Sequence, residues 1–478
     1  MKVLVLNPPN KHNEPIGRDL IYGCWCHGKR VADIQLPPLN LMYIASVLKN
    51  YEVVLIDALS KKWNIEDTLE RLDKDFDVLI IASSNTTFLD DVEFSEKLKE
   101  KNSKLKVIFC GPHTTVYPKK ALRKKIIDIG VQGEVEETIK ELIEVLSKNG
   151  DLGEVKGISY RENDEVKVNM GRGMIENLDK LPFPDWDMID RDEYFNPLAK
   201  KEPIATILSS RGCIGRCTFC TSPSFYGKNY RFRSAENVLE ELEMLYKKGF
   251  KEVLFRDETF TVSKERTRKI CEGLIEKGIK LSWMCNIRIG SVDKETMELM
   301  KKAGCHNLWV GVESGVQEIL DIAKKDIKIE MIEETFKWAN EVKINTHAHF
   351  MFGMEGESLE SLNDTIKFIK KINPTTIDIG ITTPFPGTEL FDKIKDKVDI
   401  GDGTQWGIDK VHNNAFFNEY FCDVKSEDLE KAIFRAYKEF YLRPSYMMNT
   451  LMKVRSFNEF FNVIKAGWST VLFSVKKS

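Results

Sequence analysis

Residues 209–223 read S-S-R-G-C-I-G-R-C-T-F-C-T-S-P and place Cys213, Cys217 and Cys220 in a C-x3-C-x2-C pattern. Thiolates are soft ligands suited to iron–sulfur clusters and to zinc. Structural zinc sites and fully protein-ligated clusters usually take four side chains. Neither a fourth cysteine nor a histidine lies in this loop, and the next histidine downstream, His306, belongs to a different strand–helix unit. Gly212, Gly215, Arg216 and Ser222 make the loop tight and polar, unlike a run of packing cysteines. Three thiolates in such a loop point to a 4Fe–4S cluster with one iron position left open for chemistry.

The loop follows the apolar run IATILSS (204–210). Further strand candidates are KEVLFRD (251–257), KLSWMCNIR (280–288), HNLWVGVES (306–314), NTHAHFMFG (345–353) and TIDIGITTP (376–384). Amphipathic helical patterns such as SAENVLEELEMLYKKG (234–249) and DKETMELMKKAG (293–304) separate them. Six such units predict a partial (β/α)6 barrel over 204–390, with its site at the C-terminal ends of the strands. The cysteine loop leaves the end of the first strand.

Upstream, residues 1–150 alternate in the same way. The runs VLVLN (3–7), EVVLID (52–57), DVLIIAS (77–83), KVIFCG (106–111) and IIDIGV (126–131) are separated by helical stretches at 39–50 and 135–148. This predicts an α/β, doubly wound parallel sheet that binds its ligand at the strand ends. Those ends carry Asn7-Pro8-Pro9, Ser83-Ser84-Asn85, Gly111-Pro112-His113 and Gly133-Glu134, small and turn-forming residues that admit a close ligand. A hairpin (156–169) and a proline-bearing linker (181–195) fill the interval 151–203, and residues 391–478 read as helical.

Composition narrows the class. The chain of 478 residues is 30% charged and 42% hydrophobic with net charge −3, which makes no case for nucleic-acid binding. The start MKVLVLNPPNKHNEP lacks signal-peptide order, and no stretch of about 18 apolar residues occurs. Ten cysteines in this setting are expected to be thiols or metal ligands, and the expected compartment is the cytoplasm. Cys24 and Cys26 supply too few ligands alone for a second cluster, which leaves that reading and redox shuttling as the alternatives for this pair, while Cys271, Cys285, Cys305 and Cys422 sit in apolar or amphipathic runs as packing residues.

The cysteine motif on the first loop of a partial barrel resembles the radical S-adenosylmethionine (radical SAM) enzymes. FRDETF (255–260), NIRIG (286–290), GVESG (311–315), FMFGMEGE (350–357) and PFPGTEL (384–390) extend the resemblance. It implies that the open iron binds SAM and that an electron splits it into methionine and a 5′-deoxyadenosyl radical. It further implies that Arg288 and Glu313 contact the polar parts of SAM, that Glu258 lies near the methionyl amine, and that the strand ending at Gly353 backs the adenine. An Arg288–Glu313 ion pair is the structural alternative. The preceding sheet resembles the cobalamin-binding domain of one subclass. The D-x-H-x-x-G motif of other cobalamin domains is absent, since Asp57 is followed by Ala-Leu-Ser-Lys. The resemblance therefore implies cobalamin bound base-off, with Asn7, Ser83, Ser84, Gly111, His113, Gly133 and Glu134 as its contacts and with His12, His27 and His113 not on cobalt.

The implied reaction is methylation of an unactivated carbon, through methylcobalamin and a substrate radical. Cyclisation, hydration or carbon–carbon coupling of a lipid or tetrapyrrole is the enzymatic alternative. A cobalamin sensor or carrier is the non-enzymatic one, which the intact three-cysteine loop opposes. A methylthiotransferase acting on transfer RNA would bring three N-terminal cluster cysteines and a C-terminal RNA-binding barrel, neither of which this sequence shows. An electron donor such as flavodoxin or ferredoxin and a small, hydrophobic substrate are the expected partners. Near the C-terminus, Phe457, Phe460, Phe461, Ile464, Trp468, Leu472 and Val475 recur at helical spacing, beside Lys453, Arg455, Lys465, Lys476 and Lys477. That stripe either packs on its own domain or lies peripherally on a membrane surface.

Overall fold

Val3, Leu4, Val5 and Leu6 are wholly buried on consecutive positions, as expected of a strand covered on both faces rather than one. The computed structural model describes residues 1–9, 34–73, 75–227, 229–397 and 418–453. Its first sheet is built from β1 (Lys2–Asn7), β2 (Glu52–Asp57), β3 (Val78–Ala82), β4 (Lys106–Cys110), β5 (Ile129–Val131), β6 (Ile158–Glu162) and β7 (Glu165–Val168), in the order β2-β1-β3-β4-β5-β6-β7. β1 to β5 are parallel and helices pack on both faces, while β6 and β7 add antiparallel at one edge. The hairpin read at 156–169 thus extends the sheet past residue 150. Backbone pairing at the open edge of β5 favours this arrangement over an isolated hairpin.

The second half begins with β8 (Ile204–Ile207), followed by a short antiparallel ribbon of β9 (Ser210–Arg211) and β10 (Arg231–Phe232). Then come β11 (Glu252–Phe255), β12 (Ser282–Ile287), β13 (Cys305–Glu313), β14 (Asn345–Phe352) and β15 (Thr376–Ile381). β8 and β11–β15 form a six-stranded, all-parallel sheet in the order β15-β14-β13-β12-β11-β8. Alternation decides which residues face out: Val253 and Phe255 join the large core beneath the helices, whereas Ile204, Leu254, Met284 and Trp309 form a small core of their own. Ser234, Ser263, Asp293 and Ser358 each accept a backbone N–H at a helix start, which fixes where the outer helices begin. Cys271, Cys285, Cys305 and Cys422 are buried packing residues, as expected.

β15 is an edge strand, and an open edge leaves backbone groups without partners. Three tyrosines from the helices Ser426–Tyr441 and Pro444–Lys453 fill that need. Tyr437 Oη accepts from Ile379 N–H at 3.0 Å, Tyr441 Oη accepts from Ile377 N–H at 2.9 Å, and Tyr446 Oη donates to Thr375 O at 2.9 Å. The Tyr441→Phe variant is expected to lose about 1–3 kcal/mol of stability, because the Ile377 N–H is left buried without its acceptor. Urea unfolding measures this, and an unchanged midpoint would show that the phenol does not hold the edge. Among the described residues, no helix is long and apolar enough to cross a membrane. Cys24, Cys26, His12 and His27 lie outside the described residues. So does the stripe from Phe457 to Val475.

Candidate active site

The cysteine loop is positioned by a carboxylate that the motif reading passed over. Asp257, at the end of β11, accepts from Ser209 N–H at 2.7 Å, Ser209 Oγ at 2.5 Å and Ser210 Oγ at 2.7 Å. These bonds break the run 204–210 into β8 and β9 and turn the chain into the loop. Within it the three thiols are partly exposed. Gly215 N–H donates to Cys213 Sγ at 3.3 Å, and the Thr259 hydroxyl stands 3.7 Å from the same sulfur. Arg288 Nη1 lies 3.9 Å from Cys217 Sγ. That approach depends on Gly215, where a Cβ would come within 2.9 Å of the guanidinium.

Arg288 does not pair with Glu313. Its guanidinium donates instead to the Lys325 carbonyl, and Lys325 Nζ meets Glu313 Oε1 at 2.6 Å, with both side chains buried. The pair occupies space opened by Gly311, where a Cβ would stand 2.6 Å from the Glu313 carboxylate. Glu313 itself adopts φ +68° at the end of β13, a left-handed conformation costly for any residue but glycine. Glu258 accepts from Ser222 Oγ at 3.2 Å, while its second oxygen, Oε2, is buried without a partner among the described residues. Burial pushes its carboxyl up to about 8, so it is largely neutral at pH 7. At the end of β14, Asn418 Nδ2 donates to Gly353 O at 2.7 Å, and Glu357 accepts from Gly353 N–H at 2.5 Å.

In the first sheet the strand ends cluster as expected. Ser83 Oγ donates to Asp91 at 2.7 Å, and Ser84 Oγ bonds Thr86 and Thr87 at 3.0 and 3.1 Å. Gly111, at φ +113°, lies so close to β3 that a Cβ would be 2.3 Å from Ser83 O. His113 is stacked on Phe88 with centroids 3.9 Å apart, and its Nδ1 is 3.2 Å from Asn85 Oδ1. Burial lowers this imidazole to about 4, so it is neutral at pH 7. Asn7 donates to Asp57 at 2.8 Å, at the β1–β2 corner. Gly133 opens the loop after β5 at φ +66°, and Glu134 is bound by Arg231 rather than left facing a ligand pocket. Sequence reasoning gave no role to Arg231, Arg211, Lys325 and Asp257 at this candidate site; Asp257 lies within the quoted FRDETF (255–260), and no spacing signal marks the other three.

The donor set fits a cluster. Three soft thiols share one loop, with a backbone N–H on one sulfur and cationic Arg288 beside another, contacts that suit thiolate-bound iron. Among the described residues no three His, Cys, Asp or Glu side chains converge to hold a single ion. The sheet likewise fits a large polar ligand: close-packed backbone at Gly111, a ring of hydroxyls, and the buried Gln132 Nε2 and Tyr117 Oη without partners among the described residues.

Fold and site together describe an α/β chain with two candidate cofactor sites, one on each sheet. The radical SAM superfamily model matches residues 207–369, and the B12 binding domain model matches residues 30–143. Over 438 residues the chain is 32% identical to the "Uncharacterized methyltransferase PH0819" of Pyrococcus horikoshii, covering 90% of this chain and 93% of that one. It is 28% identical to the anaerobic magnesium-protoporphyrin IX monomethyl ester cyclase of Rubrivivax gelatinosus, covering 84% of this chain and 71% of the relative. Among solved structures, the cobalamin-dependent S-adenosylmethionine radical enzyme OxsB, with aqua-cobalamin and S-adenosylmethionine bound, superposes with TM-score 0.71 at 19% identity. The match covers 99% of this chain and 71% of that chain. The chain belongs to the radical SAM superfamily, in the branch that carries a B12 binding domain ahead of the barrel.

Proposed function

We propose that the chain methylates an unactivated carbon of a small-molecule substrate, as a cobalamin-dependent radical SAM enzyme. The observation that carries this reading is the meeting of the two units: the stem of the cysteine loop is joined by buried ion pairs to the loop after β5 of the cobalamin-type sheet and to the start of the helix that follows it. When bound, the cluster supplies the electron that splits SAM, and cobalamin supplies a carrier for the methyl group. Cys213, Cys217 and Cys220 hold the cluster. Arg288 balances thiolate charge at Cys217, and with Glu313 it meets the polar end of SAM. Glu258, neutral at pH 7, donates a hydrogen bond there through its free oxygen. Ser83, Ser84, Gly111, His113 and Gly133 shape the cobalamin face. Asn7 braces it through Asp57, whereas Glu134 is turned to Arg231 and away from that face.

An external one-electron donor, such as flavodoxin or ferredoxin, reduces the protein. The substrate we infer is hydrophobic, a lipid or tetrapyrrole, in keeping with the cyclase named above, and that same relative supports ring closure as a second reading. Incubation with methyl-labelled SAM, cobalamin, a reductant and a lipid or tetrapyrrole extract separates the two. Methylation releases S-adenosylhomocysteine and 5′-deoxyadenosine in parallel with labelled product. Product formed with 5′-deoxyadenosine alone, without transferred label, would reject methylation in favour of ring closure.

A further inference from the structure

The ribbon β9–β10 is the stem of the cysteine loop, and Arg211 and Arg231 are its cross-strand partners. All three cysteines lie between these two arginines in the chain. Both guanidiniums reach carboxylates just after β5, Glu134 in the loop and Glu136 at the first position of the helix Glu136–Ser147. Arg231 holds Glu134 in a two-pronged pair at 2.7 and 2.8 Å. Arg211 holds Glu136 at 2.5 and 3.2 Å and stands 3.4 Å from Glu134. None of the four side chains is more than 8% exposed. Glu134 also accepts from Ile175 N–H at 2.7 Å, and the Arg211 guanidinium lies 5.8 Å from the Tyr43 ring.

Buried ion pairs are poor sources of net stability, because desolvation offsets their attraction. Two-pronged pairs nonetheless fix separation and angle more tightly than apolar contact does. The connections on either side are short. Only Gly212 separates Arg211 from Cys213, and a Cβ at Gly212 would stand 2.5 Å from Asn229 O, so the stem has no slack. On the sheet side, Gly133 N–H donates to Thr115 Oγ1 at 2.9 Å, and that hydroxyl donates to Gly111 O at 2.7 Å. A chain of direct bonds therefore runs from the Gly111 cradle to the first cluster cysteine.

We infer that Glu134, Glu136, Arg211 and Arg231 are positioning residues that set the distance and angle between cobalamin and the cluster, an inference that rests on the proposed two-cofactor function. The test uses the full chain loaded with both groups. The variants are the charge-balanced pairs Arg211→Met with Glu136→Gln and Arg231→Met with Glu134→Gln, each of which removes one charge of either sign and so leaves no lone buried charge. With Co(II) cobalamin and reduced cluster both paramagnetic, pulsed electron paramagnetic resonance reads their separation without any substrate. The wild type is expected to give one narrow distance. The variants are expected to keep full iron and cobalamin content but to lose that single distance to a broad or split distribution. An unchanged distribution would overturn the positioning role. Loss of either group from variants with native circular dichroism would also overturn it, since binding and not positioning would then be at stake. A wild type that takes up no cobalamin would sink the two-cofactor function itself.

Discussion

With Cys213, Cys217 and Cys220 all replaced by alanine, SAM cleavage falls to background while the fold survives. The thiols are partly exposed in a loop, so their removal empties no core, and the expected change in stability is within about 1 kcal/mol. Activity has no such tolerance. Without the three thiols the loop keeps Arg288 and the Gly215 N–H but has no ligands for the cluster that would pass an electron to SAM. Anaerobically reconstituted wild type should carry about four iron and four sulfide per chain, as a cubane requires. The triple variant should carry almost none. If it still formed 5′-deoxyadenosine from SAM, the cluster assignment would be wrong.

Replacing Gly111 by valine is expected to weaken cobalamin binding roughly a hundredfold, about 2.7 kcal/mol, while leaving the cluster content unchanged. The side chain would meet Ser83 O at 2.3 Å, at φ +113° where β-branched residues are strained, so the loops after β3 and β4 must part. Bound to the wild type, Co(II) cobalamin should show no nitrogen splitting from an axial histidine. His113 is 3% exposed, stacked on Phe88 and in contact with Asn85, which leaves it poorly placed to reach a metal. Equilibrium titration followed by absorbance gives the affinity, and electron paramagnetic resonance gives the axial ligand. Wild-type affinity in the Gly111→Val variant would remove the cradle, and a histidine nitrogen signal would contradict base-off binding.

Local pattern made the two sheets and the cysteine loop legible before any coordinates. Strand–helix alternation follows from side-chain periodicity, and C-x3-C-x2-C is a motif whose ligands all fall within a single loop. Cys271, Cys285, Cys305 and Cys422 were readable as packing residues for the same reason. Partner choice was not legible. Glu313 pairs with Lys325 and not Arg288, because Gly311 opens room for that lysine beside the carboxylate. Glu134 meets an arginine 97 positions away, Asp257 pins serines 47 and 48 positions back, and three tyrosines close an edge strand some 58 to 71 positions upstream. Each of these contacts answers a buried charge or an open backbone group that exists only once distant segments have been brought together. The sequence by itself determined the chemistry of the loop and the class of each sheet. Tertiary packing alone decided which charges meet, and so how the cysteine loop is held against the sheet that faces it.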